Sequence, residues 1–219
     1  MDNTVKDCLK SIAKKTADRL VKMYASRNEP KDGMIFPLYR ERDAKKKTNK
    51  WRISEQEARL SFVIELEKSI LNYGIFKHYS VETPTRNRYS KFAKNKETKK
   101  YDPPEYHDCT EGGCSGSIDL SIYKSNSILP DINIEFKSGT SVLHEFEKDL
   151  LKLYAEKRDG VWFHMFVGNE KTLTTIKDRI KEARDNILKR YPFSTTILVI
   201  IVSLDPKKSD SKAIDDYTI

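Results

Sequence analysis

The chain has 219 residues, with 41 Lys and Arg against 33 Asp and Glu and a formal net charge of +8. That length supports one domain with a full core and an extension, or two small domains, and the basic balance favours nucleic acid or another anionic surface without saying anything of the fold. No apolar run approaches a membrane span, residues 1–7 lack the basic and apolar regions of a signal peptide, and three cysteines (Cys8, Cys109, Cys114) are too few for a disulfide framework, so a reducing cytoplasm is expected.

Residues 4–25 place Val5, Leu9, Ile12, Ala13, Leu20, Val21 and Tyr24 near helical spacing, with lysines outside. This predicts an amphipathic helix covering one side of a core. Residues 26–53 hold two prolines, a glycine and a basic run that includes Lys45, Lys46 and Lys47. They read as a charged loop, either simply solvated or tracking phosphates. Residues 1–53 are therefore expected to form an extension. Ser54-Glu55-Gln56-Glu57 is a capping box, so a second helix starts there, carries Leu60, Val63, Ile64, Leu66, Ile70 and Leu71, and ends at Asn72 and Gly74. Residues 75–83 read as a strand stopped by Pro84.

Residues 84–116 form a long polar connection with Arg86, Arg88, Lys91 and Lys94 among its cations and Tyr89, Phe92, Tyr101 and Tyr106 interleaved. Such a mixture suits nucleic acid, the cations on phosphates and the aromatics stacked on bases. A mobile surface insertion is the alternative. His107, Cys109 and Cys114 fall short of a zinc set unless Asp108 or Glu111 completes it, and the spacing matches no standard finger.

Two alternating stretches follow. Residues 117–123 put Ile118, Leu120 and Ile122 on one face and Ser117, Asp119 and Ser121 on the other. Residues 131–137 put Ile132, Ile134 and Phe136 on one face and Asn133, Glu135 and Lys137 on the other. A turn-rich link between them predicts a hairpin. Joining the apolar faces brings Asp119, Glu135 and Lys137 together. Two close carboxylates repel unless a cation lies between them, and hard oxygen ligands suit Mg²⁺ or Mn²⁺. Lys137 is then placed to act on a water or a phosphate oxygen. The same residues also read as a solvated cross-strand face. Acid-any-Lys occurs six times in the chain, but only the copy at Glu135 lies in an alternating apolar strand.

Beyond the hairpin, a helix over about 142–157 presents Leu143, Phe146, Leu150, Leu151 and Tyr154 inward. A buried strand over 161–167 contains His164, read as a core histidine. Then come an amphipathic helix over 170–189, an apolar strand over 195–204, and a polar tail over 205–219 that is expected to fray. Strands mixed with crossover helices from residue 54 to 204 predict an α/β sandwich with a mixed sheet.

This order, with Gly116-Ser117-Ile118-Asp119-Leu120 on one strand and Ile134-Glu135-Phe136-Lys137 on the next, resembles the PD-(D/E)XK nuclease superfamily. Ile118 stands where the proline of the family's name would be. The resemblance covers residues 54–167 and implies a restriction-endonuclease-like fold with helices flanking a mixed sheet. It further implies a Mg²⁺- or Mn²⁺-dependent nuclease acting on nucleic acid, DNA foremost. Asp119 and Glu135 would hold the metal, Lys137 would orient or activate water, and Glu57 would be the acid of the first helix. Two other classes remain open: a catalytically inactive nucleic-acid-binding protein of the same fold, and an interaction subunit, as a homodimer or within a larger defence or repair complex.

Overall fold

The computed structural model describes residues 1–29, 33–40, 49–108, 112–205 and 214–219. Lys45, Lys46, Lys47 and Cys109 lie outside the described residues. The architecture is α/β. Its helices are α1 (Asn3–Ala25), α2 (Glu55–Tyr73), α3 (Leu143–Ala155) and α4 (Glu170–Arg190). Strands β1 (Leu38–Arg40) and β2 (Asn49–Trp51) form a small antiparallel ribbon inside the stretch expected as loop. The main sheet contains β3 (His78–Ser90), β4 (Glu105–His107), β5 (Cys114–Tyr123), β6 (Ile132–Ser138), β7 (Asp159–Phe166), β8 (Ile197–Ser203) and β9 (Ile214–Thr218). Their spatial order is β4-β3-β5-β6-β7-β8-β9. β6, β7 and β8 run parallel, joined by α3 and α4, and the remaining pairs are antiparallel.

Alternation along the strands divides the apolar residues into two layers. Leu120, Ile122, Ile134, Phe136, Phe163 and Ile200 pack with residues of α1 and α2. Trp162, Phe166, Val199 and Ile201 pack with residues of α3 and α4. The central residues expected from sequence (Ile118, Leu120, Ile122, Ile134, Phe136, Leu150, Phe163 and Ile200) are all buried. Phe62 of α2 meets Phe136 edge-on at 5.7 Å and Phe163 at 6.0 Å. Each such pair contributes about 1 kcal/mol beyond its buried area. Glu55 lies two turns before Phe62 on the same helical face, so this anchor also directs Glu55 toward β6.

Three expectations bear on how the chain closes its core. First, α1 covers one side of it, as its apolar spacing predicts. Its Val5, Leu9, Ile12, Ala17 and Leu20 belong to the same core layer as Leu198 and Ile200. Second, the tail does not simply fray, because β9 pairs antiparallel with β8 from Leu198↔Thr218 to Val202↔Ile214. Third, Pro84 does not stop its strand. β4 covers β3 only at Arg88–Ser90, so Pro84 sits where one side of β3 is unpaired, a position that tolerates a missing N–H.

Two turns show local chemistry. Gly74 ends α2 at φ +64°, as its position after the helix predicts. Lys157, two residues past the end of α3, takes the same left-handed conformation at φ +53°. A left-handed L-residue costs about 1 kcal/mol there, so Lys157→Gly is expected to stabilise the fold by about that amount. A urea midpoint that fails to rise would show that the lysine side chain makes up for its backbone.

Candidate functional site

The site lies where the β5–β6 ladder stops. Leu120↔Ile134 is its last pair. In the same register Asp119 stands opposite Glu135, and Asp119 Oδ2 accepts the Phe136 N–H at 2.8 Å. A side chain thus takes over where a backbone carbonyl would continue the ladder. Behind it, Ser121 donates to Asn133 Oδ1 at 2.9 Å, a buried polar pair on the same face.

That polar face is not solvated. Helix α3 lies across it, leaving Glu135 2% and Lys137 6% exposed. The helix supplies Asp149 and Lys152, both also buried. Lys137 Nζ lies 2.6 Å from Asp149, 3.4 Å from Glu55 and 4.0 Å from Glu145. Lys152 Nζ lies 2.7 Å from Glu135 and 3.3 Å from Asp149, and donates to the Ser117 carbonyl at 2.8 Å. Asp149 therefore joins the two lysines. Glu145 is matched by Lys148 at 2.9 Å. What remains is four carboxylates (Glu55, Asp119, Glu135, Asp149) against two ammonium groups (Lys137, Lys152), a formal excess of two negative charges.

The titration directions follow from burial first and from the neighbouring charges second. Burial raises the Glu135 carboxyl well above its ordinary 4.5; Lys152 opposes the rise, and Asp149 and Asp119 add to it. Burial also raises Asp119, against the pull of the Phe136 N–H and Lys152. Glu55 is raised too, by burial first and then by Asp149 and Asp119, with Lys137 opposing. Asp149 goes the other way. Burial alone would raise it, but Lys152 and Lys137 hold it below the ordinary carboxylate range. Both lysines are kept firmly protonated despite burial, Lys137 by Asp149 and Glu55 and Lys152 by Glu135 and Asp149.

Of the residues expected from sequence, the structure brings Asp119, Glu135 and Lys137 together but not Glu57. The Glu57 carboxylate accepts from the Ser54 N–H at 3.2 Å and from the Ser54 hydroxyl, closing the capping box. Glu55, two residues earlier, reaches the site instead. Its signal was available: a capping box engages its N3 acid, which leaves the other first-turn acid free. Asp149 and Lys152 were missed as well. They stand one turn apart beside Leu150 and Leu151, opposite charges inside an apolar helical stretch.

The donor chemistry suits a hard divalent cation, since Asp119, Glu135 and Glu55 offer only carboxylate oxygens. Among the described residues, no three His, Cys, Asp or Glu side chains stand as a ready ligand cluster. The lysines are interleaved with the carboxylates instead.

The expected phosphate contacts are placed unevenly. Arg86 and Arg88 are exposed on β3. Lys91 pairs with Glu105 at 2.7 Å, and Lys94 lies 5.3 Å over the Tyr101 ring. Several of the aromatics serve packing rather than base stacking. Tyr89 is buried against Phe92, with ring centroids 5.3 Å apart, Tyr101 stacks on His144 at 4.3 Å, and Tyr106 meets Tyr191 and Phe193 edge-on. His107 bonds Ser90 at 2.8 Å. His164 faces α3, its Nε2 2.7 Å from the Gly139 carbonyl, and burial pushes its pKa down to about 4. Among the described residues no helix is long and apolar enough to cross a membrane. No known protein-family profile matches the chain, and no curated protein matches it.

Proposed function

We propose that this chain is a metal-dependent nuclease of restriction-endonuclease-like fold, hydrolysing phosphodiester bonds of nucleic acid, DNA foremost, with Mg²⁺ or Mn²⁺. The observation that carries the reading is the formal excess of two negative charges at the end of the β5–β6 ladder, which matches the charge of one divalent cation: the buried Glu135 and Asp149 balance Lys137 and Lys152, and the partly buried Asp119 and half-exposed Glu55 are left over at the open side. Asp119 and Glu135 would hold the ion, with Glu55 beside them. A bound divalent ion would supply charge stabilisation for the phosphoryl group.

The remaining roles follow from protonation. Lys137 and Lys152 are ammonium groups at neutral pH, so they donate hydrogen bonds to water or phosphate oxygens and do not take protons. Glu55 is half-exposed, and its raised pKa makes it the carboxylate suited to accept a proton from an attacking water. The test is cleavage of single- and double-stranded DNA and RNA with Mg²⁺ or Mn²⁺, with EDTA as control. Cleavage that survives EDTA, or no cleavage of any substrate, would sink the proposal.

Metal and pH are also expected to act together on stability. Glu135 binds its proton more tightly folded than unfolded, so its contribution falls as pH rises from its ordinary 4.5 toward its raised folded value. A cation replaces that proton, so Mn²⁺ should raise Tm more at pH 8 than at pH 5. An equal shift at both pH values, or none, would remove the ion from this cluster.

One observation favours a second reading, an inactive nucleic-acid-binding protein of the same fold. Lys152 already neutralises Glu135 at 2.7 Å, and Asp149 already holds Lys137 at 2.6 Å. Nucleic-acid binding without metal-dependent Tm shifts or cleavage would select it.

A further inference from the structure

At the rim of the cluster, α2 carries a second group one turn after Glu55. Arg59 donates through Nη2 to Gln56 Oε1 at 2.7 Å and through Nη1 to Glu82 Oε1. The other Glu82 oxygen accepts the Ser117 hydroxyl at 3.1 Å, and the Ser117 carbonyl is the one that Lys152 holds. Arg59 is close enough to Asp119 to stabilise its charged form, and Lys152 does the same for Glu82. The Arg59–Glu82 pair is therefore continuous with the buried network.

Glu82 itself is out of the ordinary. It lies between the pairs Val81↔Leu120 and Thr83↔Ile118, in line with Asp119, yet its φ is +50°. A left-handed non-glycine residue within a strand is strained, and such residues gather where a side chain is re-aimed at a functional site. Packing gives no return for the strain, because the Glu82 side chain is 53% exposed. What it gains is the Arg59 guanidinium.

The geometry points to Arg59 as the residue that grips a non-bridging oxygen of a nucleic-acid phosphate, with Glu82 as the positioning residue that holds the guanidinium ready. The inference rests on the nuclease reading for which phosphate is gripped, but the grip itself needs no cleavage. A guanidinium has five donors in a planar fork that matches phosphate geometry, and the two bonds seen occupy one donor on each terminal nitrogen. Lys137 and Lys152 are tied to buried carboxylates, whereas Arg59, itself 14% exposed, has a partner that is 53% exposed, and an ion pair with one solvated member is the weaker and more easily exchanged. Of the three cations, Arg59 is the one that can change partners at little cost.

The experiment is fluorescence anisotropy of a labelled single-stranded oligodeoxynucleotide in EDTA over a series of salt concentrations, with Tm measured alongside. Arg59→Gln is expected to weaken binding about tenfold at low salt and to make the slope of log affinity against log salt shallower by about 0.7, the loss of one phosphate contact. Arg59→Lys keeps the charge but not the fork, so it should bind more weakly with the slope retained. Glu82→Gln keeps an acceptor and drops a charge, so it should bind as tightly as wild type or tighter.

If Arg59→Gln lowers Tm but leaves affinity and slope unchanged, Arg59 only clamps α2 to β3 and the proposal falls. If that variant does not fold, unchanged affinity in Arg59→Lys overturns it. Glu82→Ala, which removes the acceptor as well as the charge, should bind more weakly than Glu82→Gln; equal binding by the two removes Glu82 from its role, and no binding by wild type removes the whole proposal. Wild type that binds with this slope but cleaves nothing with Mg²⁺ removes the nuclease reading and leaves Arg59 standing. Cleavage together with an unchanged Arg59→Gln slope does the reverse.

Discussion

Glu135→Gln is expected to lose cleavage by about 10³-fold while the protein stays at least as stable as wild type. The lost rate corresponds to about 4 kcal/mol of transition-state stabilisation, within what a site's charge groups supply. The stability half of the result comes from the cluster's imbalance. Burial raises the Glu135 pKa, so its ionised form is held at a cost above the ordinary 4.5. Glutamine removes that charge and keeps the shape. Lys152 is not abandoned, since Asp149 at 3.3 Å and the Ser117 carbonyl at 2.8 Å remain. The stability gain should therefore be larger at pH 8 than at pH 5. Denaturant unfolding at both pH values, beside the cleavage assay, checks the two halves. Full activity in this variant would place any catalysis elsewhere, and a loss of stability at pH 8 would mean that the Lys152 pair outweighs the burial of Glu135.

Asp149→Asn is expected to do the opposite to the fold. The Asp149 carboxylate is buried, yet its pKa is held down by Lys152 and Lys137, so its charged form stabilises the native state above the ordinary 3.8. Its contribution is lost as pH falls through the depressed folded value. Removing the shared acceptor leaves two buried ammonium groups with fewer partners, which costs about 3 kcal/mol. For a chain of this size that is roughly 9 °C in Tm. Asp119→Asn is the control, because an amide oxygen can still accept the Phe136 N–H and both lysines keep their ion pairs. A thermal melt in which the Asp149 and Asp119 variants behave alike would mean that the lysines are not held as described.

The sequence revealed the sheet's polar face better than what covers it. Alternation around Asp119 and Glu135 needs only the period of a strand, so both hairpin faces were readable residue by residue. The covering helix was read by its apolar spacing, which assigns Asp149 and Lys152 to the outside. They are inside because a buried sheet face bearing Glu135 and Lys137 requires opposite charges from whatever packs on it. That requirement appears only once helix and strand are docked. Pro84 was misread for a similar reason: a proline's effect depends on whether the strand beside it is paired, and β4 is too short to reach it. The weak apolar pattern of Ile214, Tyr217 and Ile219 gave no warning that β9 would close the sheet beside β8.

The polar stripe of Asp119, Ser121, Asn133, Glu135 and Lys137 has a second consequence, for how the hairpin finds its alignment. A slip by one residue turns every side chain of a strand to the opposite side. Here it would drive Glu135 and Lys137 in among Phe62 and Phe163, and would part the Ser121–Asn133 hydrogen bond. Each ion stranded in hydrocarbon costs several kcal/mol, a large fraction of a domain's total stability. The charges thus act as a proofreader of strand alignment, rejecting the neighbouring pairing that the isoleucines alone would tolerate. Three of the five side chains, Asp119, Glu135 and Lys137, also belong to the proposed site, so alignment alone constrains them whether or not the site is catalytic.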